Sequence, residues 1–152
     1  MPASPMRFDR PPPEPLASAP GFLLSWNGRR TATLFAEALE PLGLRPPHFG
    51  VLRLIDADPG LTQQELARRS LIDPSSMVAV VDELEELGYA ERQPHPADRR
   101  KHAIHLTADG TRMLERAQTV AVKTTKEILA PLTADEVDEL RVLLRKLAGA
   151  AD

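Results

Sequence analysis

The 152-residue sequence contains no cysteine. Disulfide bonds, thiolate metal sites and thiol-based redox sensing are therefore excluded. Aromatic residues make up only 4% of the chain, so its core is expected to consist mainly of leucine, valine and alanine. No apolar run approaches the ~18 residues of a membrane-spanning helix, and the first residues lack the charged-then-apolar pattern of a secretion signal. These absences predict a globular, cytoplasmic protein.

The chain also lacks an excess of positive charge, since its formal net charge is −3. Nucleic-acid binding therefore has no support from overall charge and must rest on local clusters. One such cluster is present: Arg99, Arg100 and Lys101 follow a Pro-Ala-Asp turn in the stretch "HPADRRKHAIHLTADG". Three cations in a row are usually only a solvated turn, so their meaning depends on the elements around them.

The first 20 residues differ in composition from the rest of the chain. They contain seven prolines and few large apolar side chains, a pattern that disfavours helix and offers little to bury. We interpret residues 1–20 as a disordered or extended arm. The remaining length, 21–152, fits a single domain.

Helical patterns and their start signals predict the organisation of that domain. Apolar helices are predicted over about 21–43 and 108–149, with a smaller lobe over about 46–107 between them. In the lobe, Thr62 and Glu65 form a capping box at a short helix, and Asp73 followed by Pro74 begins the next helix. The segments "YAERQ" and "KHAIHL" alternate with period two and predict a two-stranded ribbon.

Two short helices joined by a tight turn and followed by a cationic hairpin predict a winged helix-turn-helix, in a mainly α fold. In this arrangement the second helix enters the major groove of DNA, and the hairpin lies over phosphates or reaches a minor groove, where Arg is favoured. Candidate DNA contacts are therefore the exposed start of the second helix, the end of the first, and the hairpin turn: Ser75, Ser76, Val78, Ala79, Arg68, Arg69, Asp98, Arg99, Arg100 and Lys101. Arg68 and Arg69 either contact phosphates or only interact favourably with the helix dipole, as cations at the end of a helix often do.

The sequence resembles the multiple-antibiotic-resistance regulator (MarR) family of bacterial transcription factors. The resemblance lies in the helix order and in "DRRKHAIHLTADG", where the family carries Asp-x-Arg at the wing, an alternating strand ending in Leu-Thr, and a glycine early in the next helix. The matching positions are Asp98, Arg100, Ile104, Leu106, Thr107 and Gly110. "LTQQELARRS" and "VDELEELGYAER" also resemble the corresponding family segments, and the similarity covers about residues 21–148.

The resemblance implies a homodimer built from the N- and C-terminal helices, an inverted-repeat operator and, often, release by a small aromatic or anionic ligand. It implies that Arg100 is the wing arginine and that Asp98 is the acid that orients its guanidinium. One departure from the family is that "PSSMVAVVDELEEL" carries no cation early in the recognition helix. We therefore expect A·T-leaning recognition, with Val78 and Ala79 against thymine methyls and the two serines donating hydrogen bonds.

A ligand pocket is predicted from Trp26, Arg30 and His48. Trp26 and Arg30 are four residues apart on one helix and share a face, so an aromatic wall and a cation would meet an anionic aromatic ligand. The alternative is that Trp26 belongs to a dimer core while Arg30 extends along it. His48 opens a helix beside Phe49, where such a residue more often packs or caps.

Other functions find little in the sequence. His102 and His105 point to opposite faces of a strand, which argues against a metal site, and no cofactor motif is present. No nucleophile–base pair, paired acids or phosphate-binding glycine loop is found, so we do not expect an enzyme. Two alternatives to an operator-binding, ligand-responsive repressor remain: a winged-helix protein-interaction module without specific DNA binding, and a non-specific nucleoid-type DNA binder.

Overall fold

The structure, a computed structural model, describes residues 8–150. Six α-helices and one two-stranded sheet follow in chain order: α1 (Pro20–Leu39), α2 (Pro46–Ala57), α3 (Gln63–Ser70), α4 (Pro74–Glu86), β1 (Ala90–Pro94), β2 (His102–Leu106), α5 (Ala108–Leu129) and α6 (Ala134–Leu147). The predicted mainly α architecture with a two-stranded wing is confirmed. Among the described helices, none is both long and apolar enough to cross a membrane.

Local capping signals determine where several helices begin. At α3 the Thr62 hydroxyl accepts the Glu65 N–H at 3.2 Å, and the Glu65 carboxylate accepts the Thr62 N–H at 2.8 Å. The same reciprocal pair forms between Thr133 and Glu136 at α6. Each such cap satisfies amides that the first helical turn leaves free and stabilises the helix by about 1 kcal/mol.

The core lies where α2, α3 and α4 pack together with β2, which defines the winged lobe as residues 46–107. It is aliphatic, as the composition predicted, and burying each Leu or Val side chain contributes about 1.5–3 kcal/mol. The largest fully buried side chains are Leu39, Val51, Leu52, Ile55, Leu66, Met77, Val81, Leu84, Ile104 and Leu114.

The wing is anchored to the lobe through its second strand. β1 and β2 pair antiparallel from Ala90 opposite Leu106 to Pro94 opposite His102. On its other edge, β2 meets the chain before α3, where the Ile104 N–H donates to the Leu61 carbonyl at 2.9 Å. This third segment, which the sequence did not predict, ties the wing to the start of the helix-turn-helix.

The junction between the winged lobe and α5 is unusually close. A Cβ added to Gly110 would lie 1.9 Å from the Tyr89 carbonyl oxygen, so the backbones approach as only glycine allows. Thr107 completes the junction: its hydroxyl donates to the Gly88 carbonyl at 2.6 Å and accepts the Gly110 N–H at 3.0 Å. The close packing of the two backbones therefore requires the glycine of the "LTADG" motif.

The first and last helices, α1 and α6, differ in how much of their surface is buried. α1 packs along α5, whereas in the described chain no residue of α6 is buried. Val142, Leu143 and Leu147 of α6 are 59%, 51% and 72% exposed. An apolar groove of about 370 Å³ between α1, α5 and α6 adds Phe35, Leu140 and others to this open surface.

The arm predicted over residues 1–20 to be disordered or extended is described in part. Residues 1–7 lie outside the described residues. In the rest of the arm, the ring of Phe8 packs edge-on against Trp26 with centroids 5.2 Å apart, and Leu16–Ser18 form a 3₁₀ turn. The single aromatic side chain in the segment gives it something to bury, a feature that its proline content obscured.

Candidate nucleic-acid interface

The recognition helix α4 separates its two faces cleanly. Met77, Val80, Val81 and Leu84 are buried in the lobe. The opposite face presents the predicted contact residues, and all of them are exposed: Ser75, Ser76, Val78 and Ala79. Val78, at 41% exposure, offers an apolar surface to a groove.

Asp73 organises the first turn of this helix. Its carboxylate accepts hydrogen bonds from the Ser75 and Ser76 hydroxyls at 2.6 and 2.5 Å and from the Ser76 N–H at 3.0 Å. These bonds, led by that of the Ser75 hydroxyl, hold the pKa of Asp73 well below its usual range. In the free chain Asp73 takes both hydroxyl protons, and donation of these serines to DNA stays a prediction. Their oxygens remain available as acceptors.

Arg92 in β1 pairs with two acids of α4. Its guanidinium donates to Asp82 at 2.7 Å and to the side-chain oxygen of Gln63 in α3 at 2.8 Å, and it pairs with the Glu85 carboxylate. The backbone N–H of Arg92 also donates to Glu85 at 3.0 Å. Sequence reasoning missed this network, which we call the Arg92 network (Gln63, Asp82, Glu85 and Arg92).

Glu83 faces the other way along α4 and is paired with the start of α2. Its carboxylate contacts the guanidinium of Arg45 and lies 2.6 Å from His48 Nε2. His48 Nδ1 accepts the Arg45 N–H at 2.9 Å, so the neutral ring carries its proton on Nε2 and donates it to Glu83. The hydrogen bond from Arg45, followed by that from His48, lowers the pKa of Glu83.

The wing turn is held by its own backbone. The Asp98 carboxylate accepts the Arg100 N–H at 3.0 Å, and the Lys101 N–H donates to the Asp98 carbonyl at 3.0 Å. The expected pairing of Asp98 with the Arg100 guanidinium is therefore wrong: the acid fixes the turn that carries the arginine. Over residues 8–150 no salt bridge engages Arg99, Arg100 or Lys101, and all three side chains are exposed.

The two arginines that end α3 take different roles. Arg69 forms a salt bridge with Asp58 at 3.0 Å. Arg68 instead lines a depression of about 650 Å³ between α3 and the wing, together with Asp98 and Lys101. Of the pair, only Arg68 adds its charge to the wing surface.

The three predicted ligand residues do not form one pocket. His48 is only 4% exposed, and both of its ring nitrogens are engaged by Arg45 and Glu83, so it caps and pins α2. Trp26 packs against Phe8 and Phe22. Arg30 lines a separate cavity of about 410 Å³ with Leu34, Glu37 and residues of α5.

A better-suited groove lies between the winged lobe and the terminal helices. It has a volume of about 530 Å³ and combines the rings of Phe35 and Phe49 with the cations Arg53 and Lys126. The Arg53 guanidinium sits 5.8 Å from the centre of the Phe49 ring, within cation–π range. Phe49 and Arg53 have the same four-residue spacing as Trp26 and Arg30, but Phe35 and Lys126 come from α1 and α5, 91 residues apart, so no sequence pattern links the four residues.

A three-helix lobe with a buried core, an exposed face on its last helix and a wing with unpaired cations define a winged helix-turn-helix protein. A sequence profile of the MarR family matches residues 42–101. The chain is 35% identical over 129 residues to the HTH-type transcriptional repressor Rv2887 of Mycobacterium tuberculosis, covering 85% of this chain and 93% of the relative. The chain therefore belongs to the MarR family, and the resemblance seen in the sequence is confirmed.

Solved structures agree with this assignment. A mutant of Escherichia coli MarR in complex with operator DNA is similar with a TM-score of 0.76 at 30% identity, over 84% of this chain and 91% of that one. CouR of Rhodococcus jostii bound to p-coumaroyl-CoA gives 0.79 at 31% identity, over 92% and 99%. Rv2887 in complex with salicylic acid gives 0.70, over 85% and 96%.

Proposed function

We propose that the chain is a ligand-responsive transcriptional repressor that binds an inverted-repeat operator as a homodimer. It is a DNA-binding transcriptional regulator rather than an enzyme, and an operator target requires it to act in the cytoplasm. The observation that carries the proposal is the contrast in charge on one surface. The cations of the wing are unpaired and exposed, while three acids of α4, Asp82, Glu83 and Glu85, are paired with Arg45 and Arg92.

The wing and α4 have separate roles in this proposal. Val78 and Ala79 read base edges in the major groove, where apolar contact favours thymine methyls. Arg100 reaches the adjacent minor groove, which attracts arginine when it is narrow. Arg99, Lys101 and Arg68 contact phosphates and supply affinity that depends on salt rather than on sequence.

The test compares three wing variants on two duplexes. Wild-type protein first selects a palindromic duplex from a randomised pool, and a scrambled duplex serves as the non-specific probe. Arg100→Ala is expected to cost about 1–3 kcal/mol on the selected duplex and to relax its A·T preference. Lys101→Ala is expected to cost less, equally on both duplexes, and to lower the salt slope by about one.

The direction in which Asp98→Ala changes operator affinity distinguishes an oriented arginine from a merely charged loop. Because Asp98 fixes the turn that carries Arg100, its loss is expected to weaken binding to the selected duplex, although it removes a negative charge. Tighter binding would show that the wing acts only as a charged loop. Equal affinity of wild type for both duplexes would favour a non-specific binder, and no binding at all would favour a protein-interaction module.

The homodimer is supported by α6, whose apolar side chains are exposed in the single chain. An apolar surface left in water costs about 25 cal/mol per Å², and pairing of the terminal helices of two copies would cover it. Two copies would also place two α4 helices on the two halves of an inverted repeat.

The ligand site is proposed to be the groove of Phe35, Phe49, Arg53 and Lys126. Its two rings and two cations suit a small aromatic carboxylate, the class to which the salicylic acid bound by the relative Rv2887 belongs. A ligand there would contact α2 of the winged lobe and α1 and α5 of the terminal helices at once. It would thereby change the placement of the lobe and weaken operator binding.

Calorimetry with salicylate tests this assignment against the pocket predicted from the sequence. Arg53→Gln and Lys126→Gln are each expected to weaken salicylate binding, whereas Arg30→Gln, in the neighbouring cavity, serves as the matched control. If Arg30→Gln alone weakens binding, the site lies beside Trp26 and Arg30 as the sequence suggested. If salicylate and benzoate both fail to bind wild type, an aromatic acid is not the ligand class.

A further inference from the structure

We propose that Arg92 is a positioning residue for DNA recognition, which offsets part of the negative charge of Asp82 and Glu85 so that the reading face of α4 can approach phosphates. The inference rests on the proposed DNA-binding function and adds to it a residue that touches no DNA itself. Its basis is the Arg92 network, in which one guanidinium from the wing strand binds side chains of α3 and α4.

The placement of Asp82 creates the need for such a residue. Asp82 lies four residues after Val78 and seven after Ser75, so it shares the exposed reading face of α4. Its side chain is 53% exposed. A free carboxylate on this face would repel the phosphates that flank the major groove. Glu85, three residues after Asp82, would add a second negative charge.

Arg92 is suited to cancel these charges. Its own side chain is 22% exposed, and its guanidinium uses separate nitrogens for Glu85 and for the Asp82–Gln63 pair. The planar fork of arginine allows this simultaneous pairing, which a lysine ammonium would not reproduce. Because β1 also pairs with β2, the same side chain links the wing to the reading helix.

The formal charges show the direction in which loss of Arg92 would change DNA binding. In wild type, Asp82, Glu85 and Arg92 carry two negative charges and one positive charge. Without Arg92, two unpaired carboxylates would face the DNA. The loss is therefore expected to act through electrostatics, with a salt dependence that simple destabilisation of the fold would not produce.

The experiment measures affinity for the selected and scrambled duplexes at several salt concentrations, at a temperature where circular dichroism shows each variant folded. Arg92→Gln is expected to weaken binding to both duplexes by about tenfold at low salt and by less at high salt, where the repulsion between carboxylates and phosphates is screened. Arg112→Gln is the matched control: Arg112 also pairs with an aspartate, Asp109, but in the first turns of α5, outside both the winged lobe and α6. It is expected to leave affinity within about twofold of wild type.

The decisive variant restores the charge without restoring the arginine. Arg92→Gln combined with Asp82→Asn has the same formal charge as wild type, and it is expected to recover most of the lost affinity and the original salt slope. Failure of this recovery, with the double variant folded, would show that Arg92 serves only the geometry of the fold and would overturn the proposal. If wild type itself binds no duplex, the proposed function fails first and the role of Arg92 falls with it.

Discussion

The winged lobe and the terminal helices solve the problem of burial in different ways. The lobe encloses its aliphatic side chains within one chain, and its surface carries charges that are either paired or directed outward. α6, by contrast, buries nothing in the described chain and exposes Val142, Leu143 and Leu147. The comparison teaches that the chain completes the core of the lobe by itself, with Leu39 of α1 and Leu114 of α5, whereas α6 leaves an apolar face that the proposed second copy would cover.

The junction at Gly110 should give the largest effect, because it joins the two regions. Gly110→Ala places a methyl group 1.9 Å from the Tyr89 carbonyl oxygen, and neither backbone can move without disturbing α5 or the start of β1. We expect a loss of about 3 kcal/mol or more in the free energy of unfolding by urea.

Gly50→Ala is the control for this substitution. Gly50 lies within α2, and an added Cβ there meets nothing within 4 Å in the described chain. Alanine is therefore expected to stabilise the helix by up to about 1 kcal/mol. Equal effects at the two glycines would show that the close approach at Gly110 is not a constraint.

Charges on the exposed face of α6 should dissociate the proposed homodimer. Leu143→Glu combined with Leu147→Glu places charges on the exposed face of α6, and light scattering is expected to give one chain mass of 16.7 kDa instead of two. Operator affinity is expected to fall roughly 100-fold or more, since two half-sites would no longer be bound together. Binding of a single lobe to the scrambled duplex should change far less.

Leu71→Glu provides the control, because Leu71 is 94% exposed but lies in the turn between α3 and α4. It is expected to leave the mass at two chains. A wild-type protein that scatters as one chain would contradict both the homodimer and the interpretation of α6.

The smallest effect is expected from a pair within the lobe, and it depends on pH. Arg45 and His48 lower the pKa of Glu83 below the ordinary value of 4.5, so folding favours the ionised carboxylate. The resulting stabilisation is present above pH 4.5 and is lost as the pH falls through the lowered pKa. Glu83→Gln is therefore expected to lower the melting temperature at pH 7 and to reduce its further decline below pH 4.5.

Glu86→Gln is the matched control on the same helix. Glu86 is exposed, and the described residues provide it with no hydrogen bond or salt bridge. Its substitution is expected to leave the acid dependence of the melting temperature as in wild type. An acid dependence that Glu83→Gln does not change would show that the link between α2 and α4 contributes nothing to stability.

What the sequence revealed was mostly local in the chain. The capping residues Thr62 and Asp73 lie within three residues of the amides they satisfy, so helix starts could be predicted from spacing alone. The wing was predicted for the same reason, since its strands are joined by a short cationic turn. The family motif added Gly110 and Asp98, but their physical roles required the structure.

What the sequence could not reveal depends on contacts between distant segments. Arg92 lies 29 residues from Gln63 and 10 from Asp82, and no periodic pattern links these positions. His48 and Glu83 are 35 residues apart, which is why His48 was assigned to a ligand pocket instead of a structural contact. Trp26 and Arg30 do share a helix, but the packing of α1 against α5 and the arm decides what each one faces.

The separation of the two faces of α4 has a consequence for how such a regulator can acquire a new target. Val78 and Ala79 contribute nothing to the buried core, and Asp82 and Glu85 behind them are paired with Arg92 of another element. If α4 reads base edges as proposed, substitutions at Val78 and Ala79 would alter the preferred base sequence while the fold, the proposed dimer and the affinity supplied by the wing stay the same. The exposed face of α4 can then be substituted one side chain at a time, while its buried face keeps the helix in the lobe.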